Sequence, residues 1–319
     1  MTTLPLTLTS IAAALALGWL LFHFSIHFGF RAKRLREQGD PGDYGLPFET
    51  IAIPGPGRRP LFGWWVPAPG SHSSVILLHG WGSNAEQMLP LAVPLHASGR
   101  NVLLFDSRNH GRSPNASFSS LPRFAEDLDA AIDWLQSTHP AAARSISLSG
   151  HSVGAGAVLL SASRRQDLTA VVSISAFAHP RWLTERHLRQ VLIPAFGIRL
   201  VARYVEWLIG HRFDAIAPMH TIAAIRCPVL LVHGEADTAV PISDAHAIAQ
   251  AGSRAAAMKL ITIPGGDHAS SEHIAEYSPR LLAFLAEAEK RVPSTRETSA
   301  RAEAIATASV GTASAAARA

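Results

Sequence analysis

Residues 145–163 read SISLSGHSVGAGAVLLSAS. A short strand, 145–148, leads into Gly150-His151-Ser152-Val153-Gly154, and a run of small and apolar residues with helical character follows over 153–163. A serine on a sharp strand-to-helix turn takes strained backbone angles, and glycines two residues before and after it let neighbouring backbone approach. The turn lifts the hydroxyl clear of the sheet. It also sets it at a helix N-terminus, where backbone N–H groups and the helix dipole favour developing negative charge. Ser152 is therefore the candidate nucleophile.

Outward from this stretch, short apolar runs recur at 51–53, 61–66, 75–78, 102–105, 170–174, 229–232 and 258–263. Segments with helical spacing lie between them at 84–97 and 122–135, and a last one closes the pattern at 280–290. Apolar runs without alternation belong to strands covered on both faces. The expected fold is α/β, a doubly wound, mostly parallel sheet, over residues 50–292. The rhythm breaks at about 176–218, where Trp, Phe, Ile and Leu mix with Arg in helical spacing. This stretch is read as a cap inserted over the carboxyl edge of the sheet. Residues 293–319 hold mainly Ala, Ser, Thr and Arg with few large apolar groups, and are expected to form a disordered tail.

The chain has 319 residues, 48% of them hydrophobic and only 16% charged. Part of that apolar excess is local. Residues 11–30 carry no charged side chain, and at helical rise such a stretch spans about 30 Å, the thickness of a hydrocarbon core. Arg31, Lys33, Arg34 and Arg36 follow at once and account for the whole formal net charge of +4. Basicity so confined fits a membrane flank rather than a nucleic-acid face. A signal peptide opens with a basic region, whereas no Lys or Arg precedes Arg31 here. Residues 1–38 are read as an uncleaved transmembrane anchor with its basic flank, single-pass, with the catalytic part on the cytoplasmic side by the positive-inside rule. Residues 39–49, rich in Gly and Pro, are read as a linker. Cys227, alone in the chain, excludes an intramolecular disulfide and is expected to be a buried structural thiol.

His79-Gly80-Trp81-Gly82 follows the strand at 75–78, the Ser152 turn comes next, His233-Gly234-Glu235-Ala236-Asp237 follows the strand at 229–232, and Gly265-Gly266-Asp267-His268 follows the strand at 258–263. In this order the sequence resembles the α/β-hydrolase superfamily, over about residues 50–290. Within it the chain is most similar to the lysophospholipase-like and acyl-thioesterase-like branch, some of whose members carry an N-terminal anchor. The resemblance implies Asp237 as the acid and His268 as the base. It also implies an oxyanion hole from the backbone N–H groups of Trp81 and Val153. Glu235 is the local rival for the acid, Asp267 is expected to point away from His268, and His79 to brace its loop. The segment 106–113, Asp-Ser-Arg-Asn-His-Gly-Arg-Ser, is read as a structural turn.

The chain order Ser152, Asp237, His268 is that of α/β-hydrolases. The expected chemistry is hydrolysis of carboxylic esters or thioesters through an acyl-enzyme, with a lipid-like acyl chain of medium or long length as substrate. A peptidase of the same fold, or an anchored scaffold that kept the fold without turnover, are the other readings. The apolar cap suggests an acyl-chain pocket or a membrane-facing lid, and Arg186, Arg189, Arg199 and Arg203 could meet lipid phosphates. No metal cluster, phosphate-binding loop or dinucleotide fingerprint is legible, so neither cofactor nor nucleic-acid partner is expected.

Overall fold

The computed structural model describes residues 3–29, 31–190, 193–252, 257–269 and 273–291. The tail expected at 293–319 lies outside them, as do Phe30, Val191 and Leu192. A long helix, α1 (Thr3–Gly29), comes first. The strands follow as β1 (Glu49–Pro54), β2 (Pro60–Val66), β3 (Ser73–Leu78), β4 (Asn101–Phe105), β5 (Ser145–His151), β6 (Ala170–Ile174), β7 (Val229–Gly234) and β8 (Met258–Ile263). They make one sheet in the order β1-β2-β4-β3-β5-β6-β7-β8. Only β1–β2 and β2–β4 pair antiparallel; β3–β4, β3–β5 and all pairs beyond are parallel. The sheet is thus the doubly wound, mostly parallel one expected.

Consecutive residues of the central strands face opposite layers, which is why the runs 75–78, 102–105 and 229–232 are apolar throughout, while β5 alternates Ile146 and Leu148 with buried Ser147 and Ser149. Ile76, Leu78, Leu148 and Val171 pack with α3 (Leu121–Thr138) and α4 (Val153–Ala162). Val75, Leu77, Val172 and Val232 pack with α2 (Leu89–Ala97) on the other face. Between β6 and β7 the chain forms α5 (Pro180–Gln190), α6 (Ala195–Ile209), α7 (Phe213–Ile216) and α8 (Pro218–Thr221). Helices α9 (Ile242–Ala251) and α10 (Ile274–Glu289) complete the order, α10 on the same face as α2.

Two helix boundaries differ from the sequence reading. Residues 84–97 are not one helix: Asn84 caps a short 3₁₀ turn, Ala85–Met88, and α2 starts only at Leu89, with Pro90 in its first turn. Helix α10 begins at Ile274 rather than at 280, because Pro279 is accommodated inside it. Cys227 is partly buried, and burial pushes its thiol up to about 11, which keeps it protonated and unreactive.

The segment after α1 is fastened to the domain. Arg34 donates to the carbonyls of Gly111 and Ser113, at 2.7 and 2.8 Å, and to Asn115 Oδ1 at 2.6 Å. The backbone N–H groups of Gln38 and Gly39 donate to the Glu86 carboxylate. Asp40 then caps the 3₁₀ turn Pro41–Tyr44, so the expected linker at 39–49 opens with an ordered, capped turn.

Candidate active site

The turn between β5 and α4 places Ser152 at φ 56°, ψ −116°, a conformation costly for a residue with a Cβ. Its flanking glycines are sterically required. A Cβ on Gly150 would lie 2.3 Å from the Gly154 carbonyl oxygen, and one on Gly154 would lie 2.5 Å from the oxygens of Leu78 and His79. The serine is therefore wedged at the carboxyl end of the central strands, at the N-terminus of a wholly buried helix.

His268 Nε2 lies 3.0 Å from Ser152 Oγ, and His268 Nδ1 lies 2.7 Å from Asp237 Oδ2. A carboxylate can only accept, so Nδ1 carries the proton and Nε2 is left to accept from the serine hydroxyl. Asp237 sits just beyond β7, its side chain buried, and its Oδ1 accepts from the backbone N–H groups of Ala239 and Val240 at 2.9 and 2.8 Å. Burial alone would raise this carboxyl. Hydrogen bonds from His233, His268 and the Val240 backbone outweigh it and hold Asp237 well below the usual carboxylate range. It is thus ionised wherever a hydrolase would work. The rival acid, Glu235, is exposed, and so is Asp267.

The loop at 79–82 lies against the nucleophile. A Cβ on Gly80 would come within 3.2 Å of Ser152 Cβ and 3.1 Å of His151 Nδ1. His79 is fully buried, pairs with the Gly80 carbonyl through Nδ1, and accepts from the Ser107 N–H through Nε2 at 3.1 Å. Burial pushes it down to about 4, so it stays neutral and bridges two loops. Trp81 follows on this loop and lines the same cleft as Ser152, and Val153 opens α4.

A cleft of about 220 Å³ opens at Ser152. Trp81, Met88, Leu91, Ile174, Ile274 and Tyr277 give it apolar walls, with His151, Gln87 and Ser83 as polar points. Its walls come from the 79–91 segment and α10, and none of the described residues of α5 to α8 lines it. The expectation of an acyl pocket formed by the cap is thereby corrected: the apolar side chains of α6 either pack on the domain or face outward. Arg186 does not sit free at a rim either, because it donates to both oxygens of the nearly buried Asp244 carboxylate, at 3.0 and 2.9 Å. His151 was passed over in sequence because a residue inside the pentapeptide carries no periodic signal. Its Nε2 donates to the His268 backbone carbonyl at 2.8 Å, which ties the loop bearing the candidate base to the turn bearing the nucleophile.

Three possible metal ligands, His179, Asp214 and His220, also meet within the segment between β6 and β7, which the sequence did not announce. His179 Nδ1 accepts from the Arg181 N–H, so its proton is on Nε2 and is donated to Asp214 at 2.9 Å. That proton occupies the position a metal would need, and the arrangement is a structural His–Asp pair.

Residues 70–219 match the family described as serine aminopeptidase, S33. Pyrococcus furiosus esterase Pf2001 superposes with a TM-score of 0.66 at 23% identity, over 80% of this chain and 98% of that one. The chain has the α/β-hydrolase fold, and residues 70–219 carry the family match. Other relatives include an uncharacterized protein of Mycobacterium tuberculosis, 28% identical over 66% of this chain and 69% of that protein. A monoacylglycerol lipase of Mycolicibacterium smegmatis is 23% identical over 59% of this chain and 78% of its own. The family match and the esterase- and lipase-like relatives support hydrolase activity for the chain.

Proposed function

We propose that this α/β-hydrolase cleaves carboxylic ester or thioester bonds through an acyl-enzyme on Ser152. The observation that carries this reading is the continuous relay from Ser152 Oγ through both nitrogens of His268 to the buried Asp237 carboxylate. His268 takes the hydroxyl proton as Ser152 Oγ attacks the acyl carbon. The backbone N–H groups of Trp81 and Val153 stabilise the oxyanion, and the proton passes from His268 to the leaving alcohol or thiol. Water then repeats the sequence: His268 removes its proton, the acid is released, and Ser152 regains its hydrogen.

The apolar walls of the cleft suit an acyl group better than a charged amine, which supports ester over peptide substrates. The match to an aminopeptidase family supports the peptidase alternative, so aminoacyl arylamides belong in the same assay. The helix α1, whose residues 8–29 are long and apolar enough to cross a membrane, is proposed to anchor the domain on the cytoplasmic face and hold it near lipid-like esters. Hydrolysis of p-nitrophenyl esters, together with fluorophosphonate labelling of Ser152, tests the chemistry. A folded protein that neither turns over nor labels would mark a scaffold instead.

A further inference from the structure

Helix α1 presents apolar side chains on all sides, and only one side is covered. Trp19, Phe22, His23, Ile26 and His27, at the i, i+3, i+4, i+7, i+8 spacing of one helix face, turn toward the domain. Trp19 and Phe22 meet the Tyr204 ring edge-on at 5.4 and 5.0 Å, and His23 pairs with the Tyr204 hydroxyl. Phe22 and Ile26 pack on the core, and His27 meets Phe118 at 5.9 Å. On the opposite face Leu17, Leu20, Leu21, Phe24 and Phe28 are exposed. A helix docked on a water-facing surface would carry polar residues there.

Tyr204 belongs to α6, whose own outer face is also apolar. Phe196, Leu200 and Trp207 share one helix face at i, i+4 and i+11, and are 77%, 60% and 68% exposed. Arg199 and Arg203 stand exposed among them. Apolar groups interleaved with arginines at this spacing suit the boundary between acyl chains and headgroups, where a guanidinium reaches up to phosphate.

The lengths connect the two helices. The span of α1 long and apolar enough to cross a membrane is 8–29, so its second half, from Trp19 on, is the part packed against the domain. A crossing that uses the whole span brings α6 with it to the lipid surface, where interfacial helices sink ~5–10 Å.

We infer that α6 is a second membrane element, whose outer face lies in the lipid surface of the leaflet from which α1 emerges. The inference rests on the proposed anchor, and not on the proposed chemistry. The test places one cysteine at a time in full-length protein carrying Cys227→Ala. Leu21→Cys reports α1, Leu200→Cys and Trp207→Cys report α6, and Glu287→Cys is the water-exposed control. Each is labelled with bimane and reconstituted in vesicles of phosphatidylcholine and phosphatidylglycerol. Quenching is then read with aqueous iodide and with lipids spin-labelled near the headgroup. Positions 21, 200 and 207 are expected to be quenched by the lipid label and protected from iodide at least ~2-fold relative to 287. Lipid quenching at 21 with 200 and 207 behaving like 287 overturns the inference while leaving the anchor standing. All positions behaving like 287 overturns both.

Discussion

Glu37 and Asp106 form a carboxyl pair at the junction of the N-terminal segment and the domain, one from each side. A Cβ on Gly111 would lie 2.2 Å from Glu37 Oε1 and 2.0 Å from Asp106 Oδ2, which places the two carboxyl groups against each other. Burial and the neighbouring Asp106 push Glu37 up to about 7, and burial raises Asp106 too. Arg112, half exposed at 3.3 Å from Glu37, only partly offsets this. A pair whose carboxyls titrate higher in the folded state gives stability that is complete below pH 4.5 and is lost as pH rises toward 7. Glu37→Gln keeps the shape and removes one charge. Its melting temperature is expected to match wild type at pH 4 and to exceed it at pH 8, as scanning calorimetry would show. A lower value at pH 8 would mean that the Arg112 ion pair dominates.

Ser152→Ala and His268→Ala are each expected to lower kcat/KM for a p-nitrophenyl ester by at least ~10³-fold, as loss of a triad member does. Asp237→Asn should fall by a similar factor, because an amide misorients the imidazole. Glu235→Gln, at an exposed position, should stay near wild type. Loss of activity in Glu235→Gln with retention in Asp237→Asn would reverse the assignment of the acid.

Gly154→Ala brings a methyl group against two backbone carbonyls rather than against flexible side chains. The expected outcome is a loss of about 2 kcal/mol or more in urea unfolding, or no folded protein at all. Gly18→Ala, where nothing lies within 4 Å, is the neutral comparison.

A cleft of about 220 Å³ is small beside the ~300–1,000 Å³ usual for ligand sites. Rate against chain length in a series of acyl esters is therefore expected to peak at short acyl groups, with any longer chain accommodated on the leaving-group side. Met88→Ala and Leu91→Ala, which enlarge the apolar wall, should move the optimum to longer chains. An optimum at eight carbons or beyond in the unaltered enzyme would contradict this and restore the long-chain expectation.

What could be read from sequence and what could not divide along physical lines. The strands at 102–105 and 229–232 were legible because burial on both faces leaves an uninterrupted apolar run. Ser152, Asp237 and His268 were legible as candidates because each follows a strand within a few residues. The partners of Arg34 and Glu37 were not. A charged residue after an apolar span reads as a flank, and nothing local announces that its hydrogen bonds lie about eighty residues away. The cleft walls from Met88, Leu91 and Tyr277 were hidden for a different reason: these residues also belong to the packing of α2 and α10, so their pattern is that of any core. Pro279 concealed the first turns of α10, since a proline normally marks a boundary.

The bonds of Arg34 bear on how the enzyme would meet its substrates. Ten loose residues after a membrane helix would act as a leash, with a root-mean-square reach of about 18 Å, letting the domain swing and present any side to the bilayer. With Arg34 stapled to Gly111 and Ser113, and Gln38 and Gly39 to Glu86, that leash has almost no slack. The domain then has a fixed aim rather than a sweep. Substrates that diffuse laterally would arrive from one constant bearing, and cutting the staple with Arg34→Ala would trade that aim for reach.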